Sequence, residues 1–136
     1  LDSTEAANMF ARCAGYYLFM VERATLAEKP AQAEYIGLLA NGAKTAAAYM
    51  LATQYVMDNP DAPPRPYGSF FPMFEGKVEA TLIQMRALAE AEDFPSIKAE
   101  ADVCAQMLEV QESILKTIRS GFGAETEPES AQPAQE

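Results

Sequence analysis

The chain has 136 residues, 49% of them apolar, and a formal net charge of −10. That length and composition fit one domain with a real core and exclude global disorder. The ten Lys and Arg are scattered singly, which argues against nucleic acid and against an anionic membrane surface as partners. No apolar run approaches the ~18 residues of a membrane-spanning helix.

The first residue is Leu1 rather than Met. Signal-peptide removal would account for this and would place the protein in the periplasm or outside the cell, where cysteines tend to pair. A trimmed chain accounts for it equally, and a cytoplasmic location stays open.

Asp2-Ser3-Thr4-Glu5 has the form of a helix start, with Asp2 accepting from the Glu5 amide and Glu5 reaching back. Phe10, Cys13, Tyr17, Met20, Ala24 and Ala27 then recur at spacings of three and four. Leu18, Phe19 and Val21 widen that face until little of the helix could meet water. This first helix, to about Glu28, is the one the others are expected to wrap. Lys29-Pro30 breaks it, and Pro30 suits the opening turn of the next helix.

The second helix is predicted from about Ala31 to Met57, with Ile36, Ala40, Ala43, Ala47, Met50, Gln54 and Met57 inward. Gly37 and Gly42 within it suggest close approach by a neighbour, the first helix above all, or plain tolerance on an exposed face. Asp58-Asn59-Pro60 ends it. Residues 58–69 hold many prolines and favour extended polyproline II.

The third helix is predicted from Ser69 or Pro72 to about Glu92, with Phe74, Val78, Thr81, Leu82, Met85 and Leu88 inward and Gly76 as a soft spot. Asp93-Phe94-Pro95 makes a second tight break. The fourth helix is predicted from Ser96 to Ser120, with Ile97, Ala101, Cys104, Leu108, Gln111, Leu115 and Ile118 inward. Gly121 is placed to end it in a left-handed cap. The acidic, proline-spaced segment from Ala124 reads as a disordered tail, which leaves residues 1–123 as the folded domain.

The fold class expected is therefore all-α: a four-helix bundle of two helical hairpins. The long connection between them allows an up-down-up-down path or a crossover. Counting along the helices of an aligned bundle, a Cys13–Cys104 bond fits the crossover and not the flush up-down-up-down path.

The chain contains no histidine. This removes Ser-His and Cys-His nucleophiles and the Glu-x-x-His ligands of di-iron bundles. The acidic pairs Glu75 and Glu79, Glu90 and Glu92, and Glu109 and Glu112 lie beside the apolar stripes and read as solvated surface. No glycine-rich phosphate loop opens a helix. No cofactor or metal is expected, and no catalytic residue is assigned.

Cys13 and Cys104 both fall on inner stripes, and a structural disulfide is the favoured reading over buried thiols or a reactive cysteine. Two readings compete for the segment PPRPYGSFFPMF, residues 63–74. Phe70, Phe71 and Phe74 could plug the open end of the bundle. Alternatively Arg65, Tyr67, Phe70 and Phe71 form a partner-binding surface of the residue types enriched in interface hot spots. Gln54, Thr81 and Gln111 could bond one another inside the bundle.

The function expected is a non-enzymatic protein-interaction module, exported, such as a small inhibitor, chaperone or assembly accessory, with a protein partner. The alternative is a carrier of a small apolar ligand. Its interior would use Met9, Met20, Met50, Met57, Met85 and Met107.

Overall fold

A computed structural model describes residues 2–126, with side chains described as far as Gly121. It is all-helical, with no strand among the described residues. The helices are α1 (Ser3–Leu26), α2 (Pro30–Asp58), α3 (Glu75–Glu90) and α4 (Phe94–Thr126), and a 3-10 segment spans Tyr67–Met73. The tail expected from Ala124 lies outside the described residues except for 124–126, which continue α4.

The helix ends follow from local chemistry. Asp2 caps α1 by accepting from the Glu5 amide at 2.8 Å. At the other end Glu28 takes φ 59°, its N–H donates to Thr25 and the Lys29 N–H donates to Ala24. That pair of bonds is a Schellman cap with Glu where glycine is usual. The device recurs after α3, where Glu92 also has φ 59° and the Glu92 and Asp93 amides reach back to Ala89 and Leu88. Pro30 opens α2, and Asp93 takes the Ser96 amide at 3.2 Å to open α4.

Three boundaries differ from expectation. Helix formation after the proline loop waits until Glu75, because Pro72 has no N–H to join a helical ladder and residues 67–73 settle as a 3-10 segment. The fourth helix begins two residues early, at Phe94. It also runs through Gly121, and no glycine among the described residues adopts a positive φ, so the predicted left-handed cap is not made there.

α1 is the hub. Phe10, Ala11 and Ala14 are fully buried, and Cys13 and Tyr17 nearly so. α2 meets it with Ala40, Ala43, Ala46 and Ala47, so that the bulky side chains come from one helix and the space from the other. α3 runs parallel to α1: Gly15 faces Val78, Thr81 and Leu82, Phe19 packs with Leu82 and Met85, and Glu22 pairs with Arg86. Directions therefore alternate from α1 to α3, and the loop does not cross the molecule end to end. α3 covers only the later half of α1. The 3-10 segment packs on α2, with Phe70 against Tyr55, and Phe70 and Phe74 join the same buried cluster as Ala6, Ala7, Phe10 and Ala11.

α4 does not lie along the other three. Ile97 sits with Phe19, Leu82 and Met85; Cys104 is bonded to Cys13 on α1; Gln111 and Leu115 press on Gly42 of α2. Cys13 and Gly42 each stand roughly a dozen residues from the α1–α2 turn, hence at about the same height. From Cys104 to Gln111 is about 10 Å along α4, close to the 8–10 Å between packed helix axes. α4 therefore straps steeply across a layer ordered α3, α1, α2.

The Cα atoms of Cys13 and Cys104 are 5.5 Å apart. The sequence ties this pairing to a crossover, yet the bond forms without one. Counting along aligned helices does not apply to a helix that crosses them.

Candidate interaction surface

The loop from Asn59 to Pro66 is fixed at both ends. The Asn59 amide and side chain both donate to the Tyr55 carbonyl, and the Ala62 amide donates to Asn59. At the far end the Ser69 amide and hydroxyl donate to the Pro66 carbonyl. Between these anchors Pro63, Pro64, Arg65 and Pro66 are all exposed and neither helical nor stranded. Pro66 has φ −66° and ψ 151°, the polyproline II conformation.

Arg65 ties this ridge to the body. Its guanidinium lies 4.3 Å from the Phe70 ring centroid and 5.1 Å from that of Tyr55, and it donates to the Ser69 side chain and carbonyl. Tyr55 and Phe70 meet edge to face at 5.9 Å, and Tyr49 and Tyr67 at 6.1 Å. Burial holds the Tyr67 phenol above its ordinary pKa, helped by the nearby Tyr49.

Of the four residues singled out in this segment, only Arg65 is exposed. Phe70 is 2% accessible, and Tyr67 and Phe71 are half-buried, Phe71 against Phe74 at 5.6 Å. The aromatic rings fill the body, and the outward surface at this end is made by others. Val56 and Met57 follow Tyr55 directly and are 59% and 68% accessible. Met73, one 3-10 turn beyond Phe70, is 64% accessible. These three exposed apolar side chains lie on the elements that bound the proline loop, the last turn of α2 and the end of the 3-10 segment.

The two ends of this surface differ in how far sequence reasoning could find them. Proline spacing and aromatic content mark the loop directly. The inward position expected of Met57 does not hold: it and Val56 are exposed on the last turn of α2, and the apolar character of both gives no sign of it.

The other sequence candidates are placed as follows. Gln54 donates to Asp58 and Gln111 to the Leu39 carbonyl at 3.2 Å, so neither bonds the other. Gly42 does admit a neighbour, but it is α4 rather than α1, and Gly37 faces open space. The paired carboxylates are all exposed, and no group of three His, Cys, Asp or Glu could hold a metal ion among the described residues. Two surface clefts lie at the opposite end, where α1 turns into α2. One, of about 400 Å³, is lined by Phe19, Leu26, Ala89 and the Glu22–Arg86 ion pair; the other, of about 560 Å³, by Thr25, Lys29, Pro30 and Ala33. The Arg86 hydrogen bonds hold Glu22 below the ordinary carboxylate pKa.

No family model, curated protein or solved structure matches the chain.

Proposed function

We propose that the chain is a non-enzymatic protein-interaction module that offers its loop end to a protein partner. One observation carries this reading. A proline–arginine ridge anchored at both ends lies in the same stretch of chain as three solvent-facing apolar side chains, Val56, Met57 and Met73. An apolar centre with a polar rim is the anatomy of a protein interface. Proline restraint lowers the entropy lost on docking. Pro63 and Pro66 are three apart, one polyproline II turn, and so share an edge. A groove lined with aromatic rings is the surface that takes such an edge. In this reading Arg65 touches the partner, and Tyr67, Phe70 and Phe71 hold the ridge in place.

The buried cysteine pair supports export, to the periplasm or beyond the cell, over a reducing compartment. Carriage of an apolar ligand is the second reading, and the two clefts among the described residues, which open on the surface, lend it no support.

The test is capture from an extract of the source cells with three baits: the unaltered protein, Met57→Asp/Met73→Asp, and Ile83→Asp as an exposed control on α3. A specific partner should be retained by the first and third and lost by the second, with all three melting alike. Retention by the double variant would overturn the reading.

A further inference from the structure

We propose that the Cys13–Cys104 bond is a redox latch for α4, which comes away from a still-folded α1–α2–α3 layer when the bond is reduced.

Among the α4 residues with described side chains, only Cys104 and Gln111 are buried. One is half of the disulfide and the other is polar, so no fully buried apolar side chain nails this long helix to the layer. Gln111 makes one hydrogen bond, to the Leu39 carbonyl, in the space Gly42 leaves. The Arg12–Glu100 ion pair is bidentate, with both bonds at 2.6 Å, yet Arg12 stays more than a third exposed. The apolar contacts of Ile97, Met107 and Ile114 are only half-buried.

The layer beneath keeps its own core. Phe10, Ala14, Ala43, Ala47, Phe70 and Val78 are buried among α1, α2, α3 and the 3-10 segment. α4 joins that layer through a turn in which Glu92 is held at φ 59°, a conformation non-glycine residues adopt at a cost. Release lets that residue relax.

Both cysteines are 1% accessible, so attack on the bond follows a transient lifting of α4. A dithiol reductant supplies two electrons. One of its thiolates attacks a protein sulfur and the S–S bond breaks. Its second thiol then closes the reductant's own disulfide, and each protein sulfur ends with one proton.

The experiment is hydrogen exchange by mass spectrometry on the full chain, oxidised and after reduction by dithiothreitol, with alkylation of both thiols in a parallel sample to establish that the bond is open. The segment from the turn to Cys104 is short. Removing such a loop constraint should speed exchange of α4 amides between 97 and 115 by on the order of a hundredfold. Amides of α1 and α2 should change by less than about threefold. Cys104→Ala should reproduce the pattern without reductant. Unchanged α4 protection with both thiols alkylated would overturn the proposal, and so would loss of protection throughout the chain.

Discussion

Glycines in this protein divide by what stands beside them. A Cβ on Gly15 would lie 2.5 Å from the Val78 carbonyl oxygen and 2.8 Å from the Thr81 Cβ, backbone and branch point that have no room to retreat. Gly15→Ala should therefore destabilise by about 2–3 kcal/mol or more through overpacking. Gly37 meets nothing within 4 Å, so Gly37→Ala should stabilise by about 1 kcal/mol through helix propensity alone. Denaturant titration of the two variants checks both signs. The left-handed glutamates make the complementary case: Glu28→Gly and Glu92→Gly should each raise stability by about 1 kcal/mol, since glycine carries no Cβ penalty at φ 59°. Tyrosine ionisation adds a pH dependence. Burial, first among the causes, holds Tyr16, Tyr17 and Tyr67 above the ordinary 10.0. The folded state then keeps protons that the unfolded chain gives up. The associated stability is intact below about pH 10 and falls as pH rises through the folded values. Melting temperature followed from pH 9 upward should decline, and Tyr16→Phe should decline less steeply.

Among the elements, the 3-10 segment rests on one buried ring, Phe70. Phe70→Ala should cost about 3–5 kcal/mol, the range for emptying a buried phenylalanine site, whereas Arg65→Ala should cost only about 0.5–1 kcal/mol as an exposed cation over two rings. Thermal melts of the two variants separate the plug from its outer tie. Much of this level was legible from the sequence. Asp2, Pro30 and Asp93 mark their turns by local chemistry, and the close apolar spacing from Phe10 to Ala24 marks α1 as the hub. The path of α4 was not legible. Its stripe of Ile97, Ala101, Cys104, Leu108, Gln111 and Leu115 has the helical period, and that period is the same whether a helix lies along its neighbours or across them. The small residues that admit close crossings, Gly15 and Gly42, resemble the idle Gly37 until their neighbours are known. Gly121 misled in the opposite sense: a glycine weakens a helix interior but ends a helix only where the chain takes up a positive φ. For the candidate surface, the loop was visible as composition, but which of its residues turn inward is decided by their ring partners Tyr49, Tyr55 and Phe74, which composition does not reveal.

At the scale of the whole molecule, two stabilities are superposed. Global unfolding of the oxidised protein releases a chain closed over a sequence separation of 91 residues. In the chain-entropy account a loop of that size is worth about 4–5 kcal/mol. Cys13→Ala/Cys104→Ala should lower the unfolding free energy by about that amount. Denaturant curves followed by a probe on α4 and a probe on α1 should separate in the double variant and coincide in the oxidised protein.

The same bond turns the linear chain into a closed covalent ring running from Cys13 to Cys104, with a free segment on either side. A ring cannot be drawn through an aperture that admits one strand. An unfoldase pulling from either terminus would pass the free segment and then meet a doubled chain at the first cysteine. Complete processive degradation therefore needs a reductant as well as a motor, and oxidised samples should leave a ring-sized fragment that reduced samples do not.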